Sequence, residues 1–138
     1  MPASPPPRWM VALNVALLRR GLAIGSQHLL EVPGRRSGLR RSTPVSIVTL
    51  GRERYIVAAF ADADWVENVR AAGSATLRQR SRSERVALAE LPPAERGPIL
   101  RAFPEQVRGG VRFFATSDSE EIVRNADRYP VFRIDPLG

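Results

Sequence analysis

The feature that most constrains this chain is a glycine-bounded basic turn, Gly34-Arg35-Arg36-Ser37-Gly38, continuing as Leu39-Arg40-Arg41-Ser42-Thr43-Pro44-Val45. It lies between two apolar, β-like stretches, Leu29 to Val32 and Val45 to Leu50. A strand, a tight turn and a second strand follow from that pattern. Four arginines within one short run also suit a polyanion, since guanidinium forks bind phosphate or carboxylate bidentately. Hydrogen bonds to charged groups contribute about 1.5–3 kcal/mol each. Glycine admits positive φ, which lets successive amides point at one anion.

The rest of the chain reads as several short strands interleaved with brief helices. Residues 1–7 form an extended or disordered tail, because Pro5, Pro6 and Pro7 cannot continue a helix. Residues 8–21 read as an apolar helix from Arg8 to Arg20 with a stop at Gly21, and 22–138 as one barrel domain. Gln27 to Val32, Arg41 to Leu50 and Arg54 to Phe60 read as strands, the last two joined through Gly51-Arg52-Glu53. Asp64 and Glu67 form an Asp-x-x-Glu capping pattern for a helix ending near Gly73. Ala75 to Arg80 and Arg85 to Leu91 form a hairpin through Ser81 to Glu84. Pro92-Pro93 opens a helix to about Phe103, Ser119 to Arg128 is another, and Val131 to Ile134 is a last strand. Residues 104–118 carry no clear pattern. Such an order fits a small antiparallel barrel better than a parallel sheet.

Composition narrows the chemistry. At 138 residues the chain suits one domain, and 43% hydrophobic content is enough for a packed core. Without cysteine there is no disulfide, thiolate nucleophile or thiolate metal site. The chain has no lysine, as a GC-rich genome would give, so all its strongly basic side chains are arginine and lysine Schiff-base chemistry is excluded. A net charge of +7 favours an anionic partner: nucleic acid, an anionic membrane or a polyanionic coenzyme. No secretory pattern opens the chain and no run reaches the ~20 apolar residues of a membrane span, which fits a cytoplasmic protein. The Arg8–Arg20 helix suits barrel packing, a dimer contact or peripheral docking on a membrane.

The basic run also carries a resemblance. Gly-Arg-Arg-Ser-Gly, two residues, Arg, two residues, Pro resembles the signature of the deazaflavin (F420)-dependent nitroreductase family. Asp64-Trp65-Val66-Glu67-Asn68-Val69-Arg70-Ala71 is similar to that family's Trp-x-x-Asn-Leu-x-Ala helix, and Tyr129-Pro130-Val131-Phe132-Arg133-Ile134 to its closing strand. The resemblance implies a split β-barrel, FMN-binding-like, of about six antiparallel strands with short flanking helices. It implies coenzyme F420, with FMN as the alternative cofactor of such barrels.

By the same resemblance, Arg36 and Arg41 would meet the coenzyme's phosphate or oligoglutamate tail within Arg35, Arg36, Ser37, Gly38 and Arg41. Arg35 would do the same or face water. Thr43, Pro44 and Val45 would line the deazaflavin ring, Ala58, Ala59 and Phe60 would offer it backbone amides and small side chains, and Trp65 with Asn68 would close a wall. Many members carry a lysine in a longer glycine-rich loop where this chain has Ala61-Asp62-Ala63-Asp64. The activity implied is hydride transfer to a quinone, enone or nitroaromatic acceptor. Tyr129 and Ser46 are the candidate proton donors, and solvent is the alternative.

Other constellations have simpler readings. Arg78, Arg80, Arg82 and Arg85 surround a hairpin and read as a solvated β-face; aromatics for base stacking are missing, so nucleic acid is the weaker partner. His28, the single histidine, reads as structural, and with no cysteine no metal site is expected. Arg70 and the pair Glu120-Glu121 read as surface residues. A carrier of coenzyme or apolar ligand on the same fold, without turnover, is the second function, and monomer and homodimer both remain open.

Overall fold

The computed structural model describes residues 27–58, 61, 63–106 and 119–137. The tail at 1–7, the Arg8–Arg20 helix, and two of the site residues, Ala59 and Phe60, lie outside them.

Six strands close a barrel. They are β1 (Gln27–Pro33), β2 (Arg40–Leu50), β3 (Glu53–Val57), β4 (Ser74–Gln79), β5 (Arg82–Glu90) and β6 (Val131–Pro136), in the spatial order β1-β2-β3-β6-β5-β4. Every neighbouring pair is antiparallel. Alternate residues of each strand turn inward, so Leu30, Val45, Ile56, Leu77, Val86 and Phe132 meet in one interior cluster. Burying a side chain of this size contributes about 1.5–3 kcal/mol.

Helix α1 (Asp64–Ala72) adds Val66 and Val69 to that interior. Gly73 stops it in the left-handed conformation (φ 72°), with its N–H bonded to the Val69 carbonyl at 2.7 Å. The outward rows of β2, β3 and β6 carry a second core. There Val48, Val57 and Val131 pack beneath α2 (Gly97–Gln106) and α3 (Ser119–Arg124), which supply Phe103 and Ile122.

Four local expectations are corrected. The β4–β5 hairpin is tighter than expected, because Gln79 pairs with Arg82 across a two-residue turn. Such turns need positive φ, and Arg80 takes it at 57°. The helix expected from Pro92-Pro93 is split into a 3₁₀ turn, Pro93–Glu95, and α2. The break falls at Arg96, just before Gly97-Pro98, because Pro98 has no N–H to bond back into the preceding turn. The helix expected over Ser119 to Arg128 ends at Arg124, and a 3₁₀ turn, Ala126–Arg128, follows non-helical Asn125. Finally, Asp64 is not the N-cap of α1. Ala63 is, with no side-chain cap, and the Asp64 carboxylate reaches Arg35 instead.

Candidate anion and coenzyme site

The basic turn spans residues 34–39, between the last β1–β2 pair, Pro33 and Arg40. It is held from within. Gly38 N–H donates to the Gly34 carbonyl and Gly34 N–H to the Leu39 carbonyl, both at 2.8 Å. Leu39 N–H donates to Ser37 Oγ at 3.2 Å. Glycine is favoured at the two ends for different reasons. Gly38 has φ 72°, and a Cβ on Gly34 would come within 2.9 Å of Ser37 Oγ. The turn's amides are mostly consumed by this folding; those of Arg36 and Ser37 have no partner among the described residues.

The four arginines separate into two kinds. Arg35 is engaged with α1: its backbone N–H and Nη1 both donate to Asn68 Oδ1, at 3.0 and 2.9 Å. Its Nη2 also lies 3.5 Å from Asp64 Oδ1. Arg40 pairs with Glu31, which is 4% exposed on the outward row of β1, at 3.3 Å. Arg78 reaches the other oxygen of Glu31 at 3.4 Å, so Arg78 is not a purely solvated side chain as expected. Arg36 and Arg41 are exposed, and neither guanidinium has a hydrogen bond or ion pair to another described residue.

Strand alternation explains the division between Arg40 and Arg41. Arg41 stands opposite Val32, an interior residue, on the row that continues through Thr43 and Val45. Arg40 is on the outward row with Ser42, Pro44 and Ser46. Arg41 Nε passes 3.6 Å from where a Cβ on Gly34 would sit, which places its side chain over the turn.

The remaining candidates are gathered less closely than expected. Val45 is buried in the barrel, Thr43 is half-buried on the same row, and Pro44 faces the other way opposite Leu29. Three consecutive strand residues therefore do not present their side chains to one ring. Ala58 is buried, and its N–H is already committed to the Pro130 carbonyl at 2.8 Å. Trp65 is half-buried, with its ring 5.8 Å from that of Phe132 and tilted by 54°, so it is anchored on the barrel core. Tyr129 is buried in the second cluster with Val48 and Val57, and Ser46 is on the outward row of β2. Neither expected proton donor stands on the row that carries Arg41. His28 is half-buried and engaged.

Sequence reading missed a second arginine network, between α1 and the end of β5. Arg70 Nε and Nη2 donate to Glu90 at 2.8 Å each, and Nη1 donates to Glu67 at 2.6 Å. Buried Arg96 donates to the carbonyls of Leu91 and Ala126 at 2.9 Å and to Glu90 at 3.1 Å. The hydrogen bonds from Arg70 hold the Glu90 carboxyl below its usual range, against the opposing effect of burial. Glu90 in turn raises Arg70, whereas desolvation lowers Arg96. The Glu67–Arg70 spacing was a local signal; the link to Glu90 had none.

Residues 8–122 match the model of the F420H(2)-dependent quinone reductase family. The chain belongs to that family. Its members are F420-dependent reductases, and coenzyme F420 is the cofactor. Solved structures agree on the fold. A chain described as a domain-swapped dimer aligns with a TM-score of 0.57 at 19% identity, over 92% of this chain and 97% of its own. An F420-H2 dependent reductase aligns with 0.54 at 21% identity, over 80% and 94%. A general stress protein 26-related protein of the pyridoxinephosphate oxidase family, from Clostridium acetobutylicum, aligns with 0.54 at 8%, over 81% and 75%. No curated protein matches the sequence. For this F420H(2)-dependent reductase, among the described residues, no helix is long and apolar enough to cross a membrane.

Proposed function

We propose that this reductase holds the anionic tail of F420 on Arg36 and Arg41 and delivers hydride to a quinone, enone or nitroaromatic acceptor. The observation that carries the reading is the division among the turn arginines. Arg35 and Arg40 are matched by Asp64 and Glu31, while Arg36 and Arg41 stand exposed with no partner among the described residues. Two unmatched guanidinium groups on a turn closed by its own hydrogen bonds fit a phosphate or oligoglutamate tail, at little cost in ordering the site.

Reduced F420, when bound, supplies a hydride from its ring carbon, and the acceptor takes that hydride with a proton to become the two-electron-reduced product. The chain's part is binding and orientation. Thr43, on the row of Arg41, is the side chain best placed to meet a ligand continuing from the turn along β2. Trp65, braced on Phe132, offers a half-buried aromatic surface. With Tyr129 packed in the second core, solvent is the proton source in this reading.

The test is steady-state oxidation of reduced F420 against a benzoquinone, a cyclic enone and a nitroaromatic, followed by return of the deazaflavin absorbance. Turnover of at least one acceptor, saturable in coenzyme, supports the reading. Tight binding of reduced coenzyme with none of the three turned over contradicts it.

A further inference from the structure

Asn68 is only 4% exposed, on a helix whose neighbours Val66 and Val69 belong to the barrel interior. A carboxamide buried there needs partners, since an unsatisfied buried polar group is costly. Its Oδ1 spends itself on one residue 33 positions away, accepting both the backbone N–H and the guanidinium Nη1 of Arg35. Asp64, one turn earlier on α1, adds a carboxylate at 3.5 Å from Nη2 and a main-chain carbonyl at 3.5 Å from Nη1. Arg35 is thereby pinned by main chain and side chain to the same helix.

We infer that Asn68 is a positioning residue for the coenzyme tail: by latching Arg35 to α1 it fixes the turn from which Arg36 and Arg41 project. The inference rests on the reading of Arg36 and Arg41 as the tail site. Anchoring the Arg35 amide fixes the backbone from which the next residue, exposed Arg36, projects. The same contact withdraws the Arg35 charge from the site, because Asn68 and Asp64 already occupy its donors. Arg35 and Asn68 then act through the turn and do not touch the anion. The physical gain is preorganisation: a turn already fixed loses little freedom when the anion arrives.

The test uses the whole protein, with two ligands and one measurement free of ligand. The ligands are F420 and the deazaflavin riboside that lacks the phosphate-bearing tail, each titrated by fluorescence. The ligand-free measurement is hydrogen exchange of the Arg35 amide by NMR. Asn68→Leu should unprotect that amide and weaken F420 binding roughly tenfold, with the affinity for the tail-less riboside unchanged. Asn68→Asp keeps an oxygen acceptor beside Arg35 and should restore both protection and affinity. Arg35→Ala removes a half-buried side chain, keeps the backbone bond to Asn68, and should cost less affinity than Arg36→Ala.

Three results would overturn the inference. One is an unchanged ratio of F420 to riboside affinity in Asn68→Leu. Another is failure of Asn68→Asp to restore the tail affinity. The third is an Arg35→Ala loss as large, and as salt-sensitive, as that of Arg36→Ala, which would make Arg35 an anion ligand and would decide the matter even if Asn68→Leu failed to fold. Failure of the wild-type protein to bind F420 would instead sink the tail-site reading, with the exchange of the Arg35 amide still reporting the latch.

Discussion

At the end of β5, Arg70 and Arg96 flank Glu90, and each of their guanidinium nitrogens has an acceptor among two carboxylates and three backbone carbonyls. At the β1–β2 turn the local density of arginine is higher, yet two of its four guanidinium groups have no partner among the described residues. The first region spends its charge on holding α1, β5 and the 3₁₀ turns together. The second fixes its backbone by internal hydrogen bonds and leaves charge available. Arginine content alone distinguishes nothing here; what separates support from binding is whether the fold has already matched the charge.

The sharpest way to break that comparison is to exchange the effects. Arg96→Met should destabilise the fold by about 3 kcal/mol, because the carbonyls of Leu91, Ala126 and Tyr129 lose a buried cationic donor. Chemical denaturation measures this, and F420 affinity of the folded variant should be unchanged. Arg36→Ala and Arg41→Ala should do the reverse. Each should weaken F420 by about 1.5–3 kcal/mol, roughly tenfold to a hundredfold, and flatten the salt dependence while leaving the denaturation midpoint in place. A fall in stability without a fall in affinity would reverse the assignment of the two regions.

A smaller, pH-dependent effect sharpens the account of the supporting region. Folding lowers the Glu90 carboxyl from its ordinary 4.5, so its charged form is favoured in the native state. The resulting stability is complete above that ordinary value and is lost as pH falls through the lower native one. Glu90→Gln should therefore cost about 1–2 kcal/mol at neutral pH, with the gap to wild type closing in acid. Denaturation curves across that range check it; a gap that widens in acid would contradict the pairing. The smallest effect belongs to Arg82→Ala, at the exposed start of β5, which should change stability by less than about 0.5 kcal/mol and F420 binding hardly at all.

Much of this was legible in the chain. The turn was, because Gly34 and Gly38 bracket it, and the six strands were, because each is a short apolar-rich run bounded by turn or helix signals. The family resemblance singled out Arg36 and Arg41 as tail residues, a reading still to be tested, and neither guanidinium has a partner among the described residues. Long-range partners were not legible. Nothing near Asp64 indicates that it serves Arg35 and not its own helix, and nothing near Arg70 indicates Glu90, twenty positions on. The break at Arg96 did have a local signal, since Gly97-Pro98 follows it and Pro98 has no N–H with which to continue a helix from Pro93–Glu95. Which face Tyr129 packs on was not legible either: it lies in the second core with Val48 and Val57. Thr43, Pro44 and Val45 show a limit of application, since the two-residue period of β2 already puts Pro44 on the opposite side.

The most direct test of the central claim is a fluorescence titration with oxidised F420 at low and high salt, wild type beside the double variant Arg36→Ala/Arg41→Ala, with FMN in parallel. The account requires saturable F420 binding by wild type that weakens with salt, and a double variant that binds more weakly with a flatter salt response. Equal affinity and equal salt dependence in the two proteins would show that the unmatched arginines of the turn do not hold the coenzyme.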